Sequence, residues 1–241
     1  MTGRSVESSP QLYARIGGAL YLMIIGLGIF GQWAKGRVVV SGDAAATAAN
    51  LISMETLWRF GIAFEFLALI CVIALAMIYY VLLRPVSKEL NLLATFLRII
   101  GIAVESVAAL YLMVALFPLG DAAYLKAFTP EQLYGLASLA IKSHSYGYTL
   151  ALLFFGFTFL FHGLLISKSG FLPKALGLMI QVGGFCYLTN SFVFFLAPSV
   201  ADILFPWVLL PCFVAELSLA LWLLLKGVNV QRWQEEAAKG R

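Results

Sequence analysis

The sequence predicts an all-α membrane protein, a bundle of six transmembrane helices with two short interfacial helices on its outer side. The chain is 62% hydrophobic and only 12% charged, about half the charged fraction of an ordinary soluble domain. Apolar runs of roughly 20 residues, the length that crosses a bilayer, occur at about 14–34, 60–83, 91–117, 138–166, 174–196 and 203–226. Because these runs use most of residues 1–241, we expect a single transmembrane domain and no separate soluble one.

Basic residues predict how this bundle is oriented. Loops rich in Lys and Arg tend to stay in the cytoplasm. One set of helix ends carries ten Lys and Arg residues, and the opposite set carries five. We therefore expect a multi-pass protein of the inner (plasma) membrane, with both termini in the cytoplasm and residues 35–58 and 119–137 outside.

Both outer connections contain a helix start signal. In the first connection, Ser41 or Asp43 can cap an alanine-rich helix that runs to Trp58. In the second, Thr129 can cap a helix whose first position is Pro130, where the missing N–H costs nothing. These signals predict short interfacial helices that lead into spans two and four.

Glycines and prolines modify two of the spans. The stretch "GLGIFG", with Gly26, Gly28 and Gly31, matches the spacing of a dinucleotide-binding loop. It lies inside a membrane span rather than after a strand, so its glycines predict close helix packing instead. In span six, Pro206 and Pro211 precede the only acidic residue and are expected to loosen the helix.

Both histidines, His144 and His162, lie at the ends of span four. Eighteen residues place them on one helix face but ~27 Å apart along the axis. One metal ion or one haem cannot bridge that distance, so we expect no metal site and no cofactor. The three cysteines, Cys71, Cys186 and Cys212, all lie in spans and predict packing rather than a disulfide or zinc site.

Polar residues inside the spans are the candidate site. An ionised residue at the centre of a span costs roughly 2.5–3.5 kcal/mol on insertion scales. We therefore expect these side chains to converge in the protein interior, in one connected region between the midplane and the outer face. The ligand-binding candidates are Glu65, Glu105, His144, Tyr148, Asn190 and Glu216, with Arg98 and Tyr187 as secondary polar residues.

Three of these residues carry more specific expectations. Arg98 and Glu105 lie ~10 Å apart along one helix, too far for a direct ion pair, so each needs another partner. His144 lies at the depth of Glu65, and a carboxylate close to it would favour the imidazolium form. His162 is expected at the cytoplasmic edge, away from any other buried titratable group. We therefore expect substitution of His144 to alter ligand binding and substitution of His162 to cost only modest stability.

Seven stretches of the chain resemble a bacterial membrane family known only as domain of unknown function 4386. They are "ARIGGALYL" (14–22), "GDAAATAANL" (42–51), "YYVLLRPV" (79–86), "HSYGY" (144–148), "SGFLPKALG" (169–177), "LTNSF" (188–192) and "ELSLALWLLLKGV" (216–228). The resemblance implies a six-helix inner-membrane protein and carries no activity with it. Its stretches include His144, Asn190 and Glu216.

The sequence favours a membrane protein with a buried polar cavity, open to the outer side, that binds a small ligand or ion for transport or sensing. The alternative is an intramembrane enzyme that acts on a lipid or isoprenoid, with His144 and the carboxyl groups as acid and base. A third hypothesis is a structural or accessory subunit. The expected partners are the bilayer and a small molecule or ion. Nucleic acid is not expected, because the net charge of +4 forms no basic stripe.

Overall fold

The computed structural model describes residues 9–239, and all regular structure within that range is helical. The α-helices are α1 (Pro10–Val38), α2 (Ala44–Ser53), α3 (Glu55–Leu83), α4 (Lys88–Val114), α5 (Pro130–Lys168), α6 (Lys174–Leu196), α7 (Pro198–Leu204), α8 (Leu210–Leu225) and α9 (Val230–Lys239). Short 3-10 helices cover Phe117–Leu119, Ala123–Ala127 and Trp207–Leu209. Six of these segments are long and apolar enough to cross a membrane, namely α1, α3, α4, α5, α6 and the stretch Trp207–Leu225. The predicted six-span, all-α fold is confirmed.

The first interfacial helix exists but ends earlier than expected. Asp43 caps α2, because its carboxylate accepts a hydrogen bond from the N–H of Ala46 at 2.9 Å. The helix ends at Ser53, and a new helix starts at Glu55, so Trp58 belongs to α3. The prediction of one helix up to Trp58 is therefore wrong.

The second interfacial helix is not a separate element. Thr129 and Gln132 form a reciprocal cap, in which the N–H of Thr129 donates to Oε1 of Gln132 at 2.9 Å and the N–H of Gln132 donates to the Thr129 hydroxyl at 3.4 Å. From Pro130 the helix continues without a break for 39 residues to Lys168. Gly135, which lies between this helix start and the predicted span, weakens the helix by only about 1 kcal/mol relative to Ala, which is too little to end it.

Proline and glycine expectations also need correction. Pro206 does interrupt the predicted span, because α7 ends at Leu204 and a 3-10 turn follows at Trp207–Leu209. Pro211 lies in the first turn of α8, where its missing N–H leaves no helical bond unmade, so it does not loosen the span. A side chain at Gly26 or Gly28 would meet nothing within 4 Å, and at Gly31 it would only reach the carbonyl oxygen of Gly61 at 4.0 Å. The glycines of "GLGIFG" therefore make no close helix contact.

Contacts within the chain define two compact units. Unit 1 comprises Met1–Met23, Cys71–Ile102 and Ala151–Arg241, and unit 2 comprises Ile24–Ile70 and Ala103–Leu150. Helices α1, α3, α4 and α5 contribute residues to both units.

Unit 2 has a hydrophobic core around a buried tryptophan. Trp58 is only 1% exposed, and its indole Nε1 donates a hydrogen bond to the carbonyl oxygen of Leu112 in α4 at 2.9 Å. Asn50 of α2 donates to the carbonyl oxygen of Val38 at 3.1 Å, which holds the short helix against the end of α1. The buried members of the core are Val38, Leu51, Trp58, Ile62, Leu112, Ala115, Ala137 and Ala140.

Unit 1 is held by close glycine contacts and by a terminal helix. A Cβ atom at Gly163 of α5 would lie 2.6 Å from the carbonyl oxygen of Gly177 in α6, so the two backbones touch directly. Helix α9, which is polar on one face and buries Trp233, was not predicted from the sequence. The Trp233 indole donates to the carbonyl oxygen of Leu82 at 2.9 Å and so ties α9 to the end of α3.

Candidate functional site

The Glu65 centre of unit 2 consists of Lys35 from α1, Glu65 from α3, and His144 and Tyr148 from α5. One carboxylate oxygen of Glu65 lies 2.9 Å from Nε2 of His144, and the other lies 3.3 Å from the Lys35 ammonium. The Tyr148 ring stacks on His144 at 6.1 Å between centroids and lies 5.8 Å below the Lys35 ammonium. The expected proximity of His144 to Glu65 is present in the structure.

Burial makes this centre unlike a surface ion pair. The side chains of Glu65 and His144 are 11% and 5% exposed, and that of Lys35 is 18% exposed. Coulomb attraction between charges strengthens as water is excluded, and so does the cost of leaving a charge alone. The three groups therefore stabilise one another, and removal of the carboxylate would leave two donors without an acceptor.

Lys35 is the residue of this centre that sequence reasoning missed. It was counted only among the basic residues at the helix ends, together with Arg37. The neighbours of Lys35 in α1 indicate its position: Ala34 and Val38 are fully buried and Arg37 is exposed. Lys35 therefore lies at the edge of the buried face of α1, since positions three apart share a helix face.

Two charge states fit the contacts of the Glu65 centre. An ionised Glu65 needs a proton on Nε2 of His144 for the 2.9 Å hydrogen bond. That proton is present in the neutral Nε2–H tautomer and in the imidazolium. With Lys35 charged, the centre has a net charge of zero in the first state and +1 in the second, so the two states differ by one proton.

The Arg98 centre of unit 1 has one polar residue from each of the six spanning helices. The Tyr187 hydroxyl donates a hydrogen bond to Glu216 at 2.5 Å. Arg98 is 7% exposed, and its guanidinium carbon lies over the rings of Phe155 at 4.8 Å and Phe159 at 5.8 Å. The members are Tyr21, Tyr79, Arg98, His162, Tyr187 and Glu216, and the Arg98 charge lies within electrostatic range of Tyr21, Tyr79, His162 and Glu216.

Arg98 is unusual because its charge is not paired. Within residues 9–239 it forms no hydrogen bond or ion pair, and Glu216 is bonded to Tyr187 instead. Stacking on aromatic rings contributes about 2 kcal/mol when desolvated, whereas removing one ion from water costs several kcal/mol even after relaxation. The two rings alone therefore do not offset the burial of this guanidinium.

His162 has buried titratable neighbours, which the sequence did not predict. It is 5% exposed, and its ring lies 5.0 Å from that of Tyr79. Nε2 of His162 and the hydroxyl of Tyr79 are both buried without a hydrogen-bond partner among residues 9–239. The expectation of an edge histidine with no buried titratable neighbour is wrong, because helix packing surrounds it with Tyr79 and Arg98.

The other candidates are distributed over both units. Glu105 is a half-buried residue of unit 2 that has interaction partners. Asn190 is a half-buried residue of unit 1. Four ligand-binding candidates thus lie in unit 2 and two in unit 1, and one connected polar region remains a prediction.

A cavity of about 360 Å³ in unit 2 does not include the Glu65 centre. Two charged residues of α3, Glu55 and Arg59, form an exposed ion pair at 2.7 Å on its wall. None of the six ligand-binding candidates lines this cavity. The lining residues are Leu51, Ile52, Glu55, Arg59, Met113, Leu116, Phe117, Leu119, Gly120, Asp121, Ala122 and Tyr124.

Comparison with known proteins identifies the family and gives no activity. An uncharacterized protein of Archaeoglobus fulgidus is 30% identical over 162 residues, which are 67% of this chain and 80% of the relative. Similarity to a protein of an archaeon means that the family resemblance does not by itself indicate a bacterial source. No solved structure matches the chain. Residues 16–227 match the family described as Domain of unknown function (DUF4386), and this multi-pass membrane protein belongs to that family.

Proposed function

We propose that this protein binds a small monovalent cation at Glu65 and releases a proton from His144 as it does so. The observation that supports this most is the buried carboxylate that two different groups share, one of them a flexible lysine and the other a histidine. Such a site serves cation–proton exchange if the protein transports, and proton-linked detection if it senses.

Lys35 is the group that an incoming cation replaces. Its ammonium lies 3.3 Å from Glu65, against 2.9 Å for His144, and its side chain is the most exposed of the three. The four-carbon stem lets the ammonium swing towards water. A small primary ammonium ion or an alkali-metal ion can then take the place of the lysine on the same carboxylate oxygen.

His144 keeps the charge of the centre constant during this exchange. With Lys35, Glu65 and a protonated His144 the centre has a net charge of +1. The displaced Lys35 ammonium stays tethered beside the centre and keeps its charge, so addition of a cation raises the net charge there to +2, which is costly where water is largely excluded. Loss of the His144 proton restores +1, so binding one cation is coupled to release of up to one proton.

This coupling has a sign that can be measured. Because the cation favours the deprotonated state of the centre, its apparent affinity rises with pH, and bound cation in turn favours proton loss by the same free energy. We expect proton release when methylammonium chloride is added to the detergent-purified protein in weak buffer containing a pH-sensitive dye. Choline chloride, whose quaternary nitrogen has no N–H donor, controls for ionic strength.

Matched variants assign the signal to the Glu65 centre. Glu65→Gln removes the acceptor charge and should abolish both binding and proton release. His144→Ala should retain binding but lose its pH dependence, because the proton that is exchanged for the cation is then absent. Glu55→Gln changes another paired glutamate of the same helix, one that is exposed, and should behave like the wild type.

Equal proton release from the wild type and Glu65→Gln would refute the proposal. So would a wild-type protein that binds none of methylammonium, sodium or potassium ions. If binding holds, sodium and potassium gradients across proteoliposomes distinguish transport from sensing, because only a transporter moves protons across the bilayer.

The alternative of an intramembrane enzyme has one supporting observation, the His144–Glu65 pair, which is the arrangement of an oriented general base. A lipid substrate would need space beside His144. The cavity of about 360 Å³ does not supply that space, because other residues line it.

A further inference from the structure

The Arg98 centre contains three polar groups with unused hydrogen-bonding capacity. Arg98 is stacked on two phenylalanine rings and forms no hydrogen bond with any other described residue. The Tyr79 hydroxyl and Nε2 of His162 are buried without partners in the described part of the chain. Buried polar atoms are nearly always hydrogen-bonded in folded proteins, so two such unpartnered atoms in the same centre as a guanidinium indicate that something outside the chain completes them.

These groups belong together. The rings of Tyr79 and His162 lie 5.0 Å apart, and the Arg98 charge acts on both residues. They come from α3, α4 and α5, so three separate helices hold them in one place. Each is more than nine-tenths buried.

We propose that Arg98, Tyr79 and His162 form an anion-binding site for a carboxylate group. The guanidinium presents its N–H donors in a planar fork that matches two carboxylate oxygens. The Tyr79 hydroxyl and a protonated Nε2 of His162 supply further donors. This site is distinct from the Glu65 centre, and it does not depend on cation binding there.

The charges of the centre select a monovalent anion. Arg98 is its one fixed cation among the described residues, and Glu216 lies within electrostatic range of it. With Glu216 protonated, the one positive charge balances one carboxylate, whereas a doubly charged anion such as sulfate would leave a negative charge uncompensated. The carboxylate can belong to a small soluble acid or to a fatty acid of the bilayer.

Thermal unfolding of the detergent-purified protein tests this site. We expect sodium acetate, but not sodium chloride at equal ionic strength, to raise the Tm of the wild type in a saturable way. Sodium octanoate below its micelle concentration distinguishes the two sources: tighter binding than acetate by tenfold or more indicates a fatty acid, and equal binding indicates a small soluble acid.

Conservative variants locate the carboxylate. Tyr79→Phe removes a single oxygen and should raise the apparent Kd for the better carboxylate at least fivefold. Tyr80→Phe is the matched control, because the neighbouring hydroxyl lies outside the centre, and it should bind like the wild type. Arg98→Lys keeps the charge but loses the planar fork, and should raise the Kd at least tenfold.

Three results would overturn the proposal. The first is a wild-type protein whose Tm responds to neither carboxylate beyond the effect of chloride. The second is an unchanged carboxylate Kd in Tyr79→Phe. The third is inorganic sulfate, which is doubly charged at neutral pH, binding as tightly as acetate; that result would exclude selection by a single positive charge.

Discussion

Loss of the Glu65 carboxylate should destabilise the protein far more than loss of an exposed carboxylate in the same helix. Glu65→Gln keeps the side-chain size but leaves the Lys35 ammonium without a counter-charge. Breaking a buried ion pair from one side costs about 3–5 kcal/mol. Because Lys35 is 18% exposed and can extend towards water, we place the loss lower, at about 2–3 kcal/mol. That corresponds to a fall in Tm of about 4–12 °C for a chain of this size.

A double-variant cycle separates this pair from general damage to the fold. When Lys35→Met is added to Glu65→Gln, no unpaired charge remains, and replacing both members of a buried pair is often nearly neutral. We therefore expect the double variant to be more stable than Glu65→Gln alone, by about 1 kcal/mol or more. Unfolding in mixed micelles with increasing SDS gives the free energies. Glu55→Gln, which breaks an exposed pair within one helix, should cost less than about 0.5 kcal/mol.

If the loss of stability in the double variant equals the sum of the losses in Glu65→Gln and in Lys35→Met alone, this reasoning is refuted. Such additivity would mean that Lys35 and Glu65 do not depend on each other. A loss in Glu65→Gln no larger than that in Glu55→Gln would have the same meaning, since the buried carboxylate would then be as well solvated as the exposed one.

Further predictions address packing and orientation. Gly163→Ala should cost about 1–3 kcal/mol of unfolding free energy, because the added methyl group overpacks the contact between α5 and α6. Gly28→Ala, whose methyl group meets open space, should be neutral or stabilising. SDS unfolding measures both free energies. Trp58→Phe loses a buried hydrogen bond and should cost about 1–3 kcal/mol of unfolding free energy. Trp33 is 54% exposed, so Trp33→Phe should cost less than about 0.5 kcal/mol. Reporter fusions at Gly42 and at the C-terminus should report opposite sides of the membrane, with the C-terminus in the cytoplasm.

The spans were predictable because their signal is local. A bilayer requires long uninterrupted apolar helices, and six runs of that kind are visible in the composition alone. The helix boundaries were less predictable, as α5 demonstrates: its cap at Thr129 was identified, but a cap marks where a helix begins and says nothing about where it ends. Helix α9 also had a local signal, because Asn229 accepts a hydrogen bond from the N–H of Arg232 at its start.

For the candidate site, the sequence predicts how deep each residue lies along its helix, but not which helix faces meet. Counting residues along the spans placed His144 level with Glu65, and the two are in contact. The same counting placed His162 at the membrane edge, where packing by Tyr79 in fact buries it. Which faces of two helices meet depends on contacts between residues about 80 positions apart in the chain, and one sequence does not contain that information.

The two polar centres should respond to single substitutions with opposite signs. In the Glu65 centre each charge has a partner, so removing one charged group leaves the other buried without a partner and destabilises the protein. In the Arg98 centre the charge already lacks a partner, so Arg98→Met removes a cost while its sulfur keeps contact with the Phe155 and Phe159 rings. We expect Arg98→Met to gain about 1 kcal/mol in SDS unfolding without carboxylate, and to lose that advantage when acetate stabilises the wild type. A loss of 2 kcal/mol or more without carboxylate would contradict this, because it would mean that water or lipid already satisfies the guanidinium.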